Sequence, residues 1–181
     1  TSTSEALSGD GTDLAAALAG TINYTGDVTV TDNAYTIAEL VAINAGTTGE
    51  IALTSAGVAL SGTVADIKSA FAGTVTEHTG TLEITDAGTT DITATDITDI
   101  NGTNTGTITV ANAIDINGSG AEVKAAFDAI DTNTGNATAN ITGTDYTIAQ
   151  LKAINNKTTG AIALATATAA LSGTVADIKA A

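Results

Sequence analysis

The chain has no cysteine, methionine, tryptophan or proline, and its 181 residues hold only five cations, all lysine, and a single histidine. Lack of cysteine excludes a disulfide framework, a thiolate metal site and a cysteine nucleophile. Any histidine catalysis would rest on His78 alone. Twenty carboxylates give a formal net charge of -15, which, with no arginine, argues against nucleic acid, whose phosphates need a basic stripe, and against anionic membrane surfaces as partners. No apolar run approaches the roughly 20 residues of a membrane span. Aromatic residues are 3% of the chain, so a core must come from Ala, Ile, Val and Leu, which 43% hydrophobic content can supply.

What is present is repetition. Leu60–Lys68, LSGTVADIK, recurs letter for letter at Leu171–Lys179, an offset of 111 residues, and TIAELVAIN from Thr36 returns as TIAQLKAIN from Thr147 at the same offset. A shorter period lies inside this one, marked by a hydroxyl or Asp followed three residues later by an acid or Gln. The pairs are Asp10/Asp13, Thr36/Glu39, Thr63/Asp66, Thr93/Asp96, Ser119/Glu122, Thr147/Gln150 and Thr174/Asp177, spaced by 26 to 30 residues. Such a period belongs to solenoids.

Each pair predicts a helix start, because the first side chain can accept from an unpaired backbone N–H while the acid reaches back and complements the helix dipole. Apolar residues follow at helical spacing, as in Ile37, Leu40 and Ile43, or Val64, Ile67 and Phe71. After each helix, Thr-Gly precedes an alternating apolar pair: Val28/Val30, Ile51/Leu53, Leu82/Ile84, Ile108/Val110, Ala137/Ala139 and Ile162/Leu164. This predicts one short strand per unit, entered through a tight glycine turn. Strands joined by crossover helices run parallel. The expected fold is therefore α/β: a right-handed β-α solenoid of about seven units spanning residues 1–181, with a narrow parallel sheet on one face and short helices on the other.

TIAELVAIN, TTGEIAL, ALSGTVADIKSAF and TGTLEITDA resemble the Thr/Ala/Gly/Asp-rich tandem repeats of very large bacterial cell-surface proteins, notably those of marine cyanobacteria. The resemblance extends over essentially the whole chain and carries over no catalytic residue. It implies an extracellular, adhesin-like or surface-coat role. Unit seven reaches Ala181 in mid-helix and the chain has no initiator methionine, so it reads as an excised or mature segment of a longer array. Uncapped solenoid ends lead to an expectation of end-to-end self-association or of neighbouring repeats.

Several side chains invite sharper readings. Asp and Asn gather at Asp27/Asp32, Asp86/Asp91, Asp96/Asp99/Asn101 and Asp128/Asp131, and Ca²⁺ takes about six to eight oxygens. Asp96, Asp99 and Asn101 are the first place to seek a cation, although neither EF-hand spacing nor the GGxGxD pattern occurs; the alternative is that these residues cap helices and fix turns. Thr29/Thr31, Thr81/Thr85 and Thr107/Thr109 suggest a row on the outer sheet face, broken by Ala52, Ala163 and Glu83. His78 reads as an exposed loop residue, and Lys68, Lys124, Lys152 and Lys179 as a solvated stripe. Tyr35 and Tyr146, just ahead of their caps, read as hydrophobic staples. Asn-x-Thr/Ser occurs at Asn23, Asn101, Asn117, Asn136, Asn140 and Asn156, a pattern that abundant threonine produces by chance. Averaged over seven units the acids come to nearly three per unit and read as a uniform coat. The expectation is a non-enzymatic structural repeat protein, with a Ca²⁺- or glycan-binding module as the alternative.

Overall fold

A computed structural model describes residues 3–20, 24–168 and 170–180; Asn23 and Ala181 lie outside them. Seven helices are present among the described residues: α1 (Gly11–Leu18), α2 (Ile37–Gly46), α3 (Val64–Ala70), α4 (Ala94–Thr103), α5 (Gly120–Ala129), α6 (Ile148–Asn155) and α7 (Val175–Ala180). Every one begins directly after the first member of a cap pair. The capping bond from the backbone N–H three residues on measures 2.8 Å at Asp10, 3.2 Å at Thr63, Thr147 and Thr174, and 3.3 Å at Thr36, Thr93 and Ser119. Where the third residue is Glu or Gln, it also reaches back to the cap's own N–H, completing a box at Thr36, Ser119 and Thr147. Asp is one methylene shorter, and at Thr63 and Thr174 its carboxylate accepts from the cap hydroxyl at 2.8 and 2.7 Å.

The strands are β1 (Leu7–Gly9), β2 (Val28–Val30), β3 (Ile51–Leu53), β4 (Leu60–Gly62), β5 (Leu82–Ile84), β6 (Asp91–Thr93), β7 (Ile108–Val110), β8 (Asp115–Gly118), β9 (Thr132–Asn133), β10 (Thr138–Ile141) and β11 (Ile162–Leu164). Five of the six expected apolar pairs coincide with a strand, and the pair Ala137/Ala139 is displaced by one residue into β10. Two expectations need correction. The strands divide into separate parallel sheets and do not form one stacked sheet. A second strand also precedes several helices, as β1, β4, β6 and β8, where one strand per unit was expected.

The chain condenses into two lobes, one running to Glu83 and including Gly102–Thr107, the other comprising Ile84–Asn101 and the residues from Ile108 onward. In the first lobe β1, β2 and β3 pair in that order, with Leu7, Val28 and Ile51 in register. Val28, Val30, Leu40, Ile43 and Ile67 fill its core. In the second lobe β6, β8, β10 and β11 pair, aligning Ile92, Ile116, Ala139 and Ile162, and β7 pairs β9. Its core holds Ile97, Ile116, Val123, Phe127 and Ile141.

Two sets of glycines let successive turns of chain approach. A Cβ placed on Gly80 would lie 2.5 Å from the Val58 carbonyl oxygen, one on Gly160 2.5 Å from that of Ala137, and one on Gly106 would collide with Gly80. These Thr-Gly positions were expected to form tight turns; among the described glycines only Gly20 and Gly73 have positive φ, so what excludes a side chain is the neighbouring backbone. The second set precedes the caps. Cβ atoms on Gly62 and Gly118 would lie 3.1 Å from Ile37 and Ala94, the first residues of α2 and α4.

Candidate functional site

Asp96, Asp99 and Asn101 all lie on α4, where Asp96 accepts the helix-start position after Thr93, whose hydroxyl takes its N–H. At about 100° per residue, Asn101 projects some 140° or more around the helix from both carboxylates, so the three do not converge. No group of three His, Cys, Asp or Glu side chains among the described residues is placed to hold a metal ion. Three of the other acidic positions tie neighbouring turns together. Asp27 accepts from Glu50 N–H at 2.9 Å, Asp32 from Gly11 N–H at 3.1 Å, and Asp131 from Ile108 N–H at 2.9 Å. Asp128 pairs with Lys124 at 2.5 Å on one face of α5.

His78 corrects the reading from sequence. It is fully buried, with its ring 5.5 Å from that of Phe71. The Val58 carbonyl lies 2.7 Å from Nε2 and can only accept, so Nε2 carries a hydrogen; Nδ1 lies 3.0 Å from Asn104 Oδ1. Asn104 Oδ1 accepts the Gly106 N–H at 3.0 Å, while its Nδ2 is buried without a hydrogen-bond partner. Thr47 and Thr158 repeat this device two residues ahead of their glycines. Thr47 donates to the Gly26 carbonyl at 2.9 Å and accepts from Gly49, and Thr158 donates to Ala137 at 2.6 Å and accepts from Gly160. Position 78 thus belongs to a buried polar series that joins successive turns. The signal was available in sequence: each member stands two residues before a Thr-Gly glycine.

Comparison with protein-family models, curated proteins and solved structures yields no match to this chain. The geometry therefore stands alone.

One polar surface was not anticipated. In the second lobe the residues alternating with buried Ile92, Ile116 and Ala139 point away from the core, and they are Asp91 and Thr93, Asp115 and Asn117, Thr138 and Asn140. Asp91 and Asp115 sit opposite each other in register, and Thr138 donates to Asp115. Asn117 donates to Asp91 at 3.0 Å and accepts from Asn140 at 2.6 Å, making a row across three strands. Like charges facing each other across strands are unfavourable; the amide and hydroxyl donors between them offset this. The threonine row is shorter: Thr81 and Thr107 hydroxyls meet at 2.9 Å, while Thr29 faces Ala52.

The remaining expectations fall on structural positions. Tyr35 and Tyr146 are buried and each donates at 2.6 Å to a carbonyl twenty residues on, Ser55 and Thr166. Burial and the nearby Asp32 carboxylate push the Tyr35 phenol up to about 12. Asn44 donates to the Ser69 and Ala72 carbonyls at 2.7 and 3.0 Å, linking one turn to the next. Lys152 pairs with Asp177 at 3.2 Å. Asn101, Asn136 and Asn156 of the glycosylation-type triplets are exposed.

Proposed function

We propose that this chain is a non-enzymatic structural repeat protein, a solenoid of about seven β-α units that serves as a filament, surface-coat or adhesin spacer outside the cell. One observation carries the reading: seven helices open on the same three-residue cap bond at a near-constant spacing. The polar side chains around them are engaged in joining each turn to the next. Function in such a chain is mechanical, since each unit buries the face its neighbour leaves open. The likeness of its motifs to bacterial surface repeats supports the extracellular assignment, which antibody labelling of intact source cells would test.

A modular stack tolerates loss of one unit. Deleting Ser119 to Tyr146 joins Gly118 directly to Thr147 and keeps the glycine-cap order intact. The shortened chain should melt cooperatively with the same circular dichroism per residue; an unfolded product would refute the modular reading. The row of Asp91, Asp115, Asn117 and Asn140 favours a second reading, a Ca²⁺- or glycan-binding adhesive module. Under that reading millimolar Ca²⁺ or a bound glycan raises the melting temperature through linkage, and an unchanged melt removes it.

A further inference from the structure

We propose that the face formed by β11 and α7 receives the N-terminal edge of a second copy of this chain, so that copies join head to tail. This rests on the reading of the chain as a stacking repeat protein and specifies how it stacks. The internal duplication supplies the key comparison. Leu60, Val64 and Ile67 are 4%, 4% and 0% exposed, whereas Leu171, Val175 and Ile178, in the identical nonapeptide, are 39%, 70% and 55% exposed. Ile51 and Leu53 are buried, and their counterparts Ile162 and Leu164 are half-buried. The same residues thus differ in what covers them, and with a pairing neighbour Leu60–Gly62 form β4 while 171–173 form no strand. In the first lobe the covering is a further layer of parallel backbone: Leu60 N–H donates to the Thr81 carbonyl at 2.9 Å, and Ile51 bridges to Val75.

The occupant is indicated by strand polarity and by charge. Both β11 and β1 are outermost in their sheets, and in each sheet the pairing is parallel. Ile162 and Leu7 are the in-facing first residues of these strands, aligned with Ala139 and Val28. A copy added in the same register sets its Leu7 against Ile162 and its Ser8 opposite Ala163. The charge is not the uniform coat expected from sequence. Residues 1–67 carry eight carboxylates and no lysine, while residues 150–181 carry three lysines and one aspartate. Exposed Glu5, Asp10 and Asp13 of the incoming edge thus meet a C-terminal segment that carries exposed Lys157 and, on α7, Lys179. A contact between two different surfaces does not close on itself as a two-fold dimer does, and repeats into a filament or a ring.

The absence of cysteine makes the test clean. Ser8→Cys and Ala163→Cys variants of the 181-residue chain, mixed under mild oxidation, should give a disulfide-linked pair, because opposed strand residues fall within bridging distance. Each variant alone should cross-link at least tenfold less. Val175→Asp combined with Ile178→Asp in the Ala163→Cys chain should abolish the cross-link, with the melting temperature unchanged because both side chains are on the surface. Lys157→Glu with Lys179→Glu should weaken association in light scattering, and Glu5→Lys with Asp13→Lys in the other copy should restore it. Wild-type chain that stays monomeric at high concentration, or cross-linking of Ala163→Cys to itself, overturns the head-to-tail proposal. Neither outcome affects the unit-deletion test of the repeat reading.

Discussion

Single residues in this chain act mostly as ties between successive turns, and Tyr35 is the one whose titration reports it. Its hydroxyl donates to the Ser55 carbonyl, and its phenol is raised to about 12 by burial and by Asp32. The unfolded phenol ionises near 10. Its contribution to stability is therefore complete below about pH 10 and lost as pH rises from there toward the folded value near 12. Alkaline titration of phenolate absorbance should show a late-ionising tyrosine that is missing in Tyr35→Phe. That variant should also lose about 1 kcal/mol, the net worth of one hydrogen bond. The capping carboxylates have the opposite sign. The Thr12 hydroxyl and the Thr36 cap hold Glu39 below its usual range, and the Ser119 cap does the same to Glu122. Their contribution is present above the ordinary glutamate range near 4.3 and is lost as pH falls through the depressed folded values. A pH series of thermal melts on wild type and Glu39→Gln should show the acid-side slope diminished in the variant.

Among the elements, helix starts were legible in the sequence because a cap is a local device: the bonding atoms lie three residues apart and need no distant partner. The pre-helix strands were not legible. Leu-Ser-Gly at 7–9 and 60–62 has too little alternation to announce a strand, and it becomes one only because a neighbouring strand supplies the hydrogen bonds. The glycine logic also emerged only in three dimensions. Gly106 faces Gly80 and Thr79 carbonyls with no room for a Cβ, while Gly102, near the end of α4, has nothing within 4 Å. Gly106→Ala should therefore destabilise the fold by roughly 2–4 kcal/mol, in the range of severe backbone and packing clashes. Gly102→Ala should be neutral or stabilising by about 0.5–1 kcal/mol, the helix-interior difference between the two residues. Chemical denaturation of both variants checks the contrast, and similar losses at the two sites would contradict the proposed close approach of turns.

For the whole molecule, a charge of -15 produces self-repulsion in the compact state that salt screens over about 10 Å at 0.1 M. Few lysines are available to offset it, and the ion pairs Lys124–Asp128 and Lys152–Asp177 lie at the surface, where such pairs contribute little. The melting temperature should consequently rise as sodium chloride is increased from about 10 mM to about 0.3 M, a range that shortens the Debye length severalfold. A fall over that range would mean that attractive pairs dominate. The lysine-bearing C-terminal face separates this effect from association, because charge reversal at Lys157 and Lys179 should alter self-association far more than the melt of the isolated chain.

The sequence by itself determined the helix positions, the parallel strand sense and the repeat spacing, since caps, alternation and short crossovers depend on neighbours a few residues away. It also excluded cysteine chemistry outright. Only the tertiary structure decided that His78 is buried between Val58, Phe71 and Asn104, because its partners lie about twenty residues before it and twenty-six after it. Tertiary structure likewise decided that the strands divide into separate sheets and that Asp91, Asp115, Asn117 and Asn140 form one row. Identical nonapeptides at 60–68 and 171–179 make the distinction plain: the same local code forms a helix in both places, and burial depends on whether another layer of chain lies against it.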